Sequence, residues 1–288
     1  MQFKQILATL VCAVAASGAA FAQTQGVTKD QIVIGTIQDL SGPVAGLSKQ
    51  VLMGLQLRVD EINEQGGING RKIVLKVEDS GYDPKRAVLA AQKLVDQDKI
   101  FAMVAHTGTA QNIATFPVLF DKNIISFFPL SAGREMYEEP NARFKYALIS
   151  TYYDQMRVAV PRLAKEKGAK KLCAIYQDDE FGLEVLRGAE AGAKASGTEL
   201  AEKTSYKRGA TDFSSQIAKM KAADCDFVAM GTVVRETVGV MAEARKTGFN
   251  PTFLGSTAAY SDIISKLGGK PVDGLYATMT VVNPYLDD

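Results

Sequence analysis

The segment 32–70 limits most strongly what this chain can fold into. It begins with a short, continuously apolar and β-branched run at 32–37, passes through a small, polar loop at 39–46, and continues as a long helical pattern that ends at Gly66-Gly67. Such a run is typical of a parallel strand covered on both faces. The segment is therefore the first half of a βαβ unit, and in open α/β sheets ligands bind at the loops that follow the strands.

The first 22 residues are predicted to be a signal peptide. Lys4 is their only charge, an apolar run occupies 6–20, and Ala20-Phe21-Ala22 matches a small-x-small cleavage site. Cys12 lies inside the apolar run and follows Val11, which disfavours a lipoprotein anchor. The pattern predicts export to the periplasm, and no later segment approaches the roughly 20 apolar residues that a membrane-spanning helix needs.

Apolar strands and amphipathic helices alternate from residue 31 onward. One face of the first helix carries apolar residues at helical spacing, and Asp83-Pro84 predicts the start of the second helix with Asp83 as N-cap. The apolar residues of that first face are Leu47, Val51, Leu55, Val59 and Ile62. The later predicted strands are 72–78, 101–105, 124–128, 172–176, 199–206, 227–230, 252–254 and 275–282. This alternation predicts parallel sheets with right-handed crossovers.

The mature chain has a balanced charge and a size that favours two lobes. Removal of the signal peptide leaves 266 of the 288 residues, with 32 basic and 32 acidic side chains. A chain of this length exceeds the usual single core. The neutral balance gives no electrostatic reason to expect nucleic acid as a partner.

Two cysteines remain in the mature chain, Cys173 and Cys225, and both stand at predicted strand starts. We expect two buried thiols rather than a disulfide, because nothing in the sequence places the two residues within bonding distance.

Four motifs give the chain a specific resemblance to a known family. They are INEQGGINGRKI at 62–73, the stretch 35–43, DDEFG at 178–182, and TDFSSQI at 211–217 ahead of 226–228. With these motifs the chain resembles the branched-chain amino-acid type of periplasmic solute-binding protein for ABC transporters, the leucine-binding-protein family. The resemblance implies a type I periplasmic binding fold, in which two Rossmann-like α/β lobes with parallel sheets close around a small ligand in the cleft between them.

The resemblance also implies how the chain divides. Residues 23–148 form the N-terminal lobe, residues 149–281 form the second lobe, and residues 282–288 begin a crossover back to lobe one. Members of the family usually continue further. We therefore expect a C-terminally truncated member, whose lobe one is incomplete without its C-terminal return.

The candidate ligand site lies on loops after predicted strands. Thr107 and Thr109 offer hydroxyls, and the helix that begins near Thr109 offers N–H groups at the positive end of its dipole. In the resembling family the corresponding loops hold the ligand's carboxylate, which implies that role for Thr107, Gly108 or Thr109 and for Leu130 and Ser131. The alternative is that the hydroxyls only cap helix starts.

Aromatic residues are the candidates in the opposite wall. Phe181 stands where the family places an aromatic side chain against the ligand, while Tyr152 and Tyr153 follow the first crossover; core packing and hinge packing are the alternatives. Asp178 and Asp179 are ligand acceptors or, as we favour for one of them, solvated loop charges. The candidate contacts are Ser41, Gly42, Thr107, Gly108, Thr109, Pro129, Leu130, Ser131, Tyr152, Phe181 and Thr257.

One departure from the family bears on the ligand. Amino-acid-binding members place a glutamate after a strand of lobe two to pair with the ligand's ammonium, but the matching stretch here is Gly255-Ser256-Thr257-Ala258, and a family aromatic is replaced within Thr232-Val233-Val234. Burying an unpaired ammonium is costly. We therefore expect a small aromatic or short-chain carboxylate without an amino group, with an amino acid as the alternative.

The resemblance implies a periplasmic substrate-binding component that passes its ligand to a membrane permease driven by an ATPase. The alternative is a ligand-sensing subunit for a signalling partner. We expect no enzyme, metal or cofactor, because His106 is the only histidine and the sequence contains no serine elbow, dinucleotide fingerprint or P-loop. We also expect a monomer.

Overall fold

The computed structural model describes residues 24–280, so the predicted signal peptide at 1–22 and the predicted crossover at 282–288 lie outside the described residues. Two sheets of five strands each, parallel throughout, organise the described range. The predicted parallel sheets are thereby confirmed. We call the part built on the first sheet lobe one and the part built on the second sheet lobe two. Within this range no helix has the length and apolar character needed to cross a bilayer.

Lobe one has the strand order β2-β1-β3-β4-β5. Its elements are β1 (Gln31–Gln38), α1 (Ala45–Glu64), β2 (Lys72–Asp79), α2 (Pro84–Asp96), β3 (Ala102–Val104), α3 (Thr109–Asp121), β4 (Ile125–Phe127) and β5 (Lys145–Tyr146). Asp83 caps α2 as predicted, since its side chain accepts a hydrogen bond from the Arg86 N–H. β3 and β4 end earlier than predicted because Ala105 and Phe128 adopt positive φ, which turns the chain out of the extended conformation.

Lobe two has the strand order β10-β9-β8-β6-β7. Its elements are α4 (Tyr152–Lys167), β6 (Leu172–Gln177), α5 (Glu180–Ala195), β7 (Glu202–Tyr206), α6 (Ser214–Ala222), β8 (Phe227–Gly231), α7 (Val234–Lys246), β9 (Thr252–Gly255), α8 (Asp262–Gly268) and β10 (Leu275–Ala277). Gly168, in the left-handed conformation, ends α4. The central strand β8 is buried along its whole length, as its unbroken apolar sequence predicts.

The apolar face predicted for α1 is only partly covered. Val59 is buried, while Leu47, Val51, Leu55 and Ile62 are half-buried. On the opposite side of the helix, Met53 and Leu57 are each 71% exposed. Because α1 packs against the β1–β2 side of the sheet, it contributes less to the core than α2, which buries five residues.

The expectation of two free thiols is wrong, because Cys173 and Cys225 form a disulfide with their Cα atoms 5.9 Å apart. Cys173 lies in β6 and Cys225 lies two residues before β8. These strands are neighbours, with Cys173 opposite Val228. The strand order of the folded sheet thus brings the two cysteines within bonding distance, although they are far apart in the sequence.

Candidate functional site

A cavity of about 490 Å³ lies between the lobes, where loops that follow strands of both sheets meet. Its volume falls within the range of small-molecule sites. It is lined by Val44, Leu47, Tyr82, Thr107, Gly108, Thr109, Leu130, Ser131, Ala132, Leu148, Ile149, Tyr152, Phe181, Val233, Thr257, Ala258, Tyr260, Met279 and Thr280. Eight of the eleven predicted site residues are in this set.

The loops after β3 and β4 form the lobe-one wall. They continue the parallel pairing of those strands as a bridge between Thr107 and Leu130. The Gly108 N–H donates to the Leu130 carbonyl at 3.1 Å, and the Leu130 N–H donates to the His106 carbonyl at 2.9 Å. This ladder holds both loops at the cavity in a fixed register.

Gly108 is the N-cap of α3 and leaves the helix start without a side-chain cap. Its φ of 97° favours glycine, and a Cβ atom there would meet the Gln111 side chain at 2.1 Å. Neither Thr107 nor Thr109 caps this helix, so a cap is not the role of their hydroxyls here. The first-turn N–H groups remain as donors beside Gly108 and Thr109 in the cavity lining.

Three hydroxyl groups meet in the cavity wall. The Thr109 and Ser131 Oγ atoms are 2.8 Å apart. Burial raises the pKa of the Tyr152 phenol to about 12, although hydrogen bonds with the Ala132 backbone and the Thr109 side chain act in the opposite direction. Tyr152 therefore stays protonated, and Thr109 joins Ser131 and Tyr152 in one group of hydroxyl donors. We call these three residues the hydroxyl cluster.

Thr107 has a different role from Thr109. Its hydroxyl donates to the Gln38 side chain at 2.7 Å and lies 3.2 Å from the Ser48 hydroxyl. These partners belong to β1 and α1. The side chain of Thr107 thus ties the β3 loop to its neighbours within lobe one, and the residue still contributes to the cavity lining.

Phe181, Val233 and Thr257 form the lobe-two wall. Phe181, in the first turn of α5, is 2% exposed, and its ring packs edge-on against Tyr152 with a centroid distance of 4.9 Å. Phe181 belongs both to the cavity lining and to a core cluster. The predicted alternatives of ligand contact and core packing are therefore compatible in this geometry.

None of the described residues that line the cavity carries a charged side chain. Asp178 and Asp179 point elsewhere: Asp178 pairs with Lys207 at 2.8 Å, and Asp179 pairs with Arg208 at 2.6 Å. Asp179 also accepts from the Gly182 N–H as the N-cap of α5. These aspartates stabilise the loop and the helix start.

The structure places Ser41, Gly42 and Pro129 outside the cavity lining. The Ser41 hydroxyl donates to Asp79 at 2.7 Å, and the Gly42 N–H donates to Asp39. The buried Asp39 carboxylate turns the loop after β1 back on itself, so Val44 and Leu47 reach the cavity in place of Ser41 and Gly42. Pro129, in the loop after β4, is buried.

Sequence reasoning missed several lining residues, including Tyr82, Leu148, Ile149 and Tyr260. Tyr82 follows β2 at the same edge of the sheet as the loops that were chosen, so its position after a strand was an available signal. Leu148 and Ile149 lie on the connection between the lobes, and Tyr260 follows the short 3₁₀ turn after β9. Nothing in their local sequence distinguishes them from core residues.

Comparison with known proteins places these features in a family. A family model described as "Periplasmic binding protein" matches residues 31–288. A Leu/Ile/Val/Thr-binding protein of Salmonella typhimurium is 27% identical over 252 residues, which covers 86% of this chain and 68% of that protein. The resemblance to the leucine-binding-protein family is thereby confirmed.

Solved structures agree with the fold. A fatty acid ABC transporter substrate-binding protein from Thermomonospora curvata has a TM-score of 0.79 and 26% identity, over 88% of this chain and 65% of that one. A leucine binding protein from Thermotoga maritima has a TM-score of 0.79 and 19% identity, over 88% of this chain and 72% of that one. The expected type I periplasmic binding fold is confirmed, and this chain belongs to the periplasmic binding protein family.

Proposed function

We propose that this protein is the exported substrate-binding component of an ABC importer and that it captures a small monocarboxylate that lacks an amino group. The observation that carries the proposal is the cavity itself. It combines an uncapped helix start and the Thr109 and Ser131 hydroxyls of lobe one with the Tyr152 hydroxyl at the start of lobe two, and none of its described lining residues is charged.

The lobe-one wall suits a carboxylate. An anion gains from N–H donors and from the positive end of a helix dipole, which α3 presents at Gly108 and Thr109. The hydroxyls of Thr109 and Ser131 in this wall, and that of Tyr152 at the start of lobe two, supply further donors. Hydrogen bonds to a charged acceptor are stronger than those between neutral groups, so this wall compensates the desolvation of one negative charge.

None of the described lining residues offers a carboxylate to an ammonium. The relative from Salmonella typhimurium is named for binding leucine, isoleucine, valine and threonine, whereas the Thermomonospora curvata protein is named for a fatty acid. Within the stretch 255–258, where amino-acid binders of the family carry a glutamate, Thr257 and Ala258 line this cavity. An amino acid bound here would bury its ammonium without a counter-charge, which favours acids that carry no amino group.

The remaining parts of the proposal follow from the family and the sequence. The predicted signal peptide directs the chain to the periplasm, where the ligand is enclosed by closure of residues 149–281 onto residues 23–148. The closed form then docks on the permease, and an ATPase supplies the energy for transport. The protein acts as a monomer in this scheme.

Calorimetric titration of the mature protein tests the ligand class. Benzoate and hexanoate represent aromatic and short-chain acids, and phenylalanine and leucine represent amino acids of comparable apolar size. We expect binding of at least one acid and no binding of either amino acid. Micromolar binding of leucine without binding of benzoate or hexanoate would refute the ligand class. In solution scattering the radius of gyration should fall at saturating acid, and an unchanged radius would contradict closure.

A further inference from the structure

Tyr82 belongs to lobe one by sequence, but its side chain packs with lobe two. The residue follows β2 and is 4% exposed. Its ring joins a core cluster that contains Val44 and Ala132 of lobe one and, from lobe two, Phe181, Val185 and Phe227. The Tyr82 ring is thus buried in a core cluster to which both lobes contribute side chains.

Lobe one holds the backbone of Tyr82 in an uncommon conformation. Its φ of 63° lies in the left-handed region, which costs a non-glycine residue free energy and persists only where the surroundings enforce it. The Tyr82 N–H donates to the Ser80 hydroxyl at 3.2 Å, and the Gln111 side-chain amide of α3 donates to the Tyr82 carbonyl at 2.6 Å. These bonds fix the direction in which the ring leaves lobe one.

The ring also contacts the start of α3. A Cβ atom on Gly108 would lie 3.0 Å from the Tyr82 ring, which shows how closely the ring packs on the N-cap. Because Gly108 and Tyr82 both line the cavity, the ring borders the helix start that the proposed carboxylate site uses.

In lobe two the ring lies against one member of a charged pair. The Arg208 guanidinium carbon lies 5.7 Å from the centroid of the Tyr82 ring, within the range of a cation–π contact. Arg208 is itself held by Asp179 at 2.6 Å. Since Asp179 caps α5, which carries Phe181, the contact connects Tyr82 to the lobe-two wall of the cavity.

We infer that Tyr82 is the closure latch of this protein: a positioning residue that holds lobe two on lobe one by inserting its ring against Arg208 when the cleft is closed. The inference rests on the proposed function, because a latch has a role only in a protein that closes on a ligand. It predicts that the ring is exposed when the lobes separate and that its loss weakens ligand binding without removing a donor of the hydroxyl cluster.

A single indole reports the environment of position 82, because the chain contains no tryptophan. We expect Tyr82→Trp to give a fluorophore that added benzoate or hexanoate shields from acrylamide. Tyr146→Trp is the matched control on the edge strand β5, where Tyr146 is 48% exposed. An indole at position 82 that is as open to acrylamide as one at position 146, both with and without the acids, would overturn the latch.

Calorimetry with the acid that the unmodified protein binds gives the second readout. Tyr82→Leu should weaken binding about tenfold, the size expected when a desolvated cation–π contact is lost. Tyr82→Phe, which keeps the ring over Arg208, should restore most of that loss, and Tyr146→Phe should leave binding unchanged. In a double-mutant cycle, Tyr82→Leu should weaken binding only about twofold when Arg208→Gln is already present. Unchanged binding by Tyr82→Leu, or additive losses in the cycle, would refute the latch.

These outcomes separate the latch from the function on which it rests. If no acid binds to the unmodified protein, the proposed ligand class fails, and the quenching of the Tyr82→Trp indole still decides whether this position is shielded between the lobes. If an acid binds while the Tyr82 variants behave like the unmodified protein, only the latch fails.

Discussion

Replacement of Thr109 by valine is the most direct test of the carboxylate site. Thr109 is 1% exposed and belongs to the hydroxyl cluster, with its Oγ1 2.8 Å from the Ser131 Oγ. Valine has nearly the same shape, so Thr109→Val removes the hydroxyl and leaves the packing and the N–H groups of α3 in place.

The size of the effect follows from the charge of the acceptor. A hydrogen bond to a charged group contributes about 2 kcal/mol, so the loss of the Thr109 hydroxyl should weaken carboxylate binding roughly 30-fold. The free energy of unfolding without ligand should fall by only about 1 kcal/mol, because the lost contact with Ser131 joins two neutral groups.

Calorimetry with benzoate or hexanoate measures the first quantity, and urea unfolding without ligand measures the second. Thr115→Val is the control, since Thr115 is also buried in α3 but its hydroxyl donates to the Asn112 carbonyl at 2.9 Å, away from the cavity. The control should lose stability while binding with unchanged affinity. Equal affinities for the unmodified protein and Thr109→Val would refute the assignment of the carboxylate to this wall.

Three further predictions concern other features. Reduction of the Cys173–Cys225 disulfide, which closes a separation of 52 residues, should lower the free energy of unfolding by about 4 kcal/mol, as the urea midpoint with and without reductant will show. Thr257→Glu should weaken binding of benzoate or hexanoate at least tenfold in calorimetry, because the new carboxylate would face the bound acid in the cavity. Burial lowers the pKa of His106 to about 3. Between pH 6.5 and pH 3 the unfolded state therefore binds a proton that the folded state does not, and stability falls as the pH falls. In urea unfolding, the free energy of unfolding of His106→Gln should fall by about 2 kcal/mol less between pH 6.5 and pH 5 than that of the unmodified protein.

Each of these predictions has a contradicting outcome. Coincident urea curves with and without reductant would show that the disulfide adds nothing. Unchanged or tighter acid binding by Thr257→Glu would show that this part of the wall lies away from the ligand. Equal pH dependence in His106→Gln and the unmodified protein would show that the imidazole is protonated in the folded state.

The sequence predicted most of the fold because parallel α/β architecture has strong local signals. Short apolar strands such as β8 and capped helix starts such as that of α2 are readable from neighbouring residues alone. The disulfide was not predictable in this way, because the adjacency of β6 and β8 is a property of strand order. Local patterns also overestimated the burial of α1, whose covering depends on its place in the sheet layer.

The site was predictable where it lies directly after a strand and less so elsewhere. The loops of Gly108 and Leu130 face the cavity because the carboxyl ends of β3 and β4 meet there. The loop after β1 obeys the same rule, but the buried carboxylate of Asp39 turns Ser41 and Gly42 away. Tyr82 has a left-handed backbone conformation, which directs its ring to the cavity. The local sequence does not predict this conformation.

The uncharged lining of the cavity, as the described residues form it, bears on how ligand binding depends on pH. Among the described lining residues the ionisable side chains are tyrosines, and burial holds the pKa of Tyr82 and Tyr152 above the ordinary value. Tyr82 and Tyr152 therefore keep one protonation state while the surroundings acidify. On the proposed function, the concentration of the acid's anion, rather than a switch at these two tyrosines, would set the occupancy of the cleft.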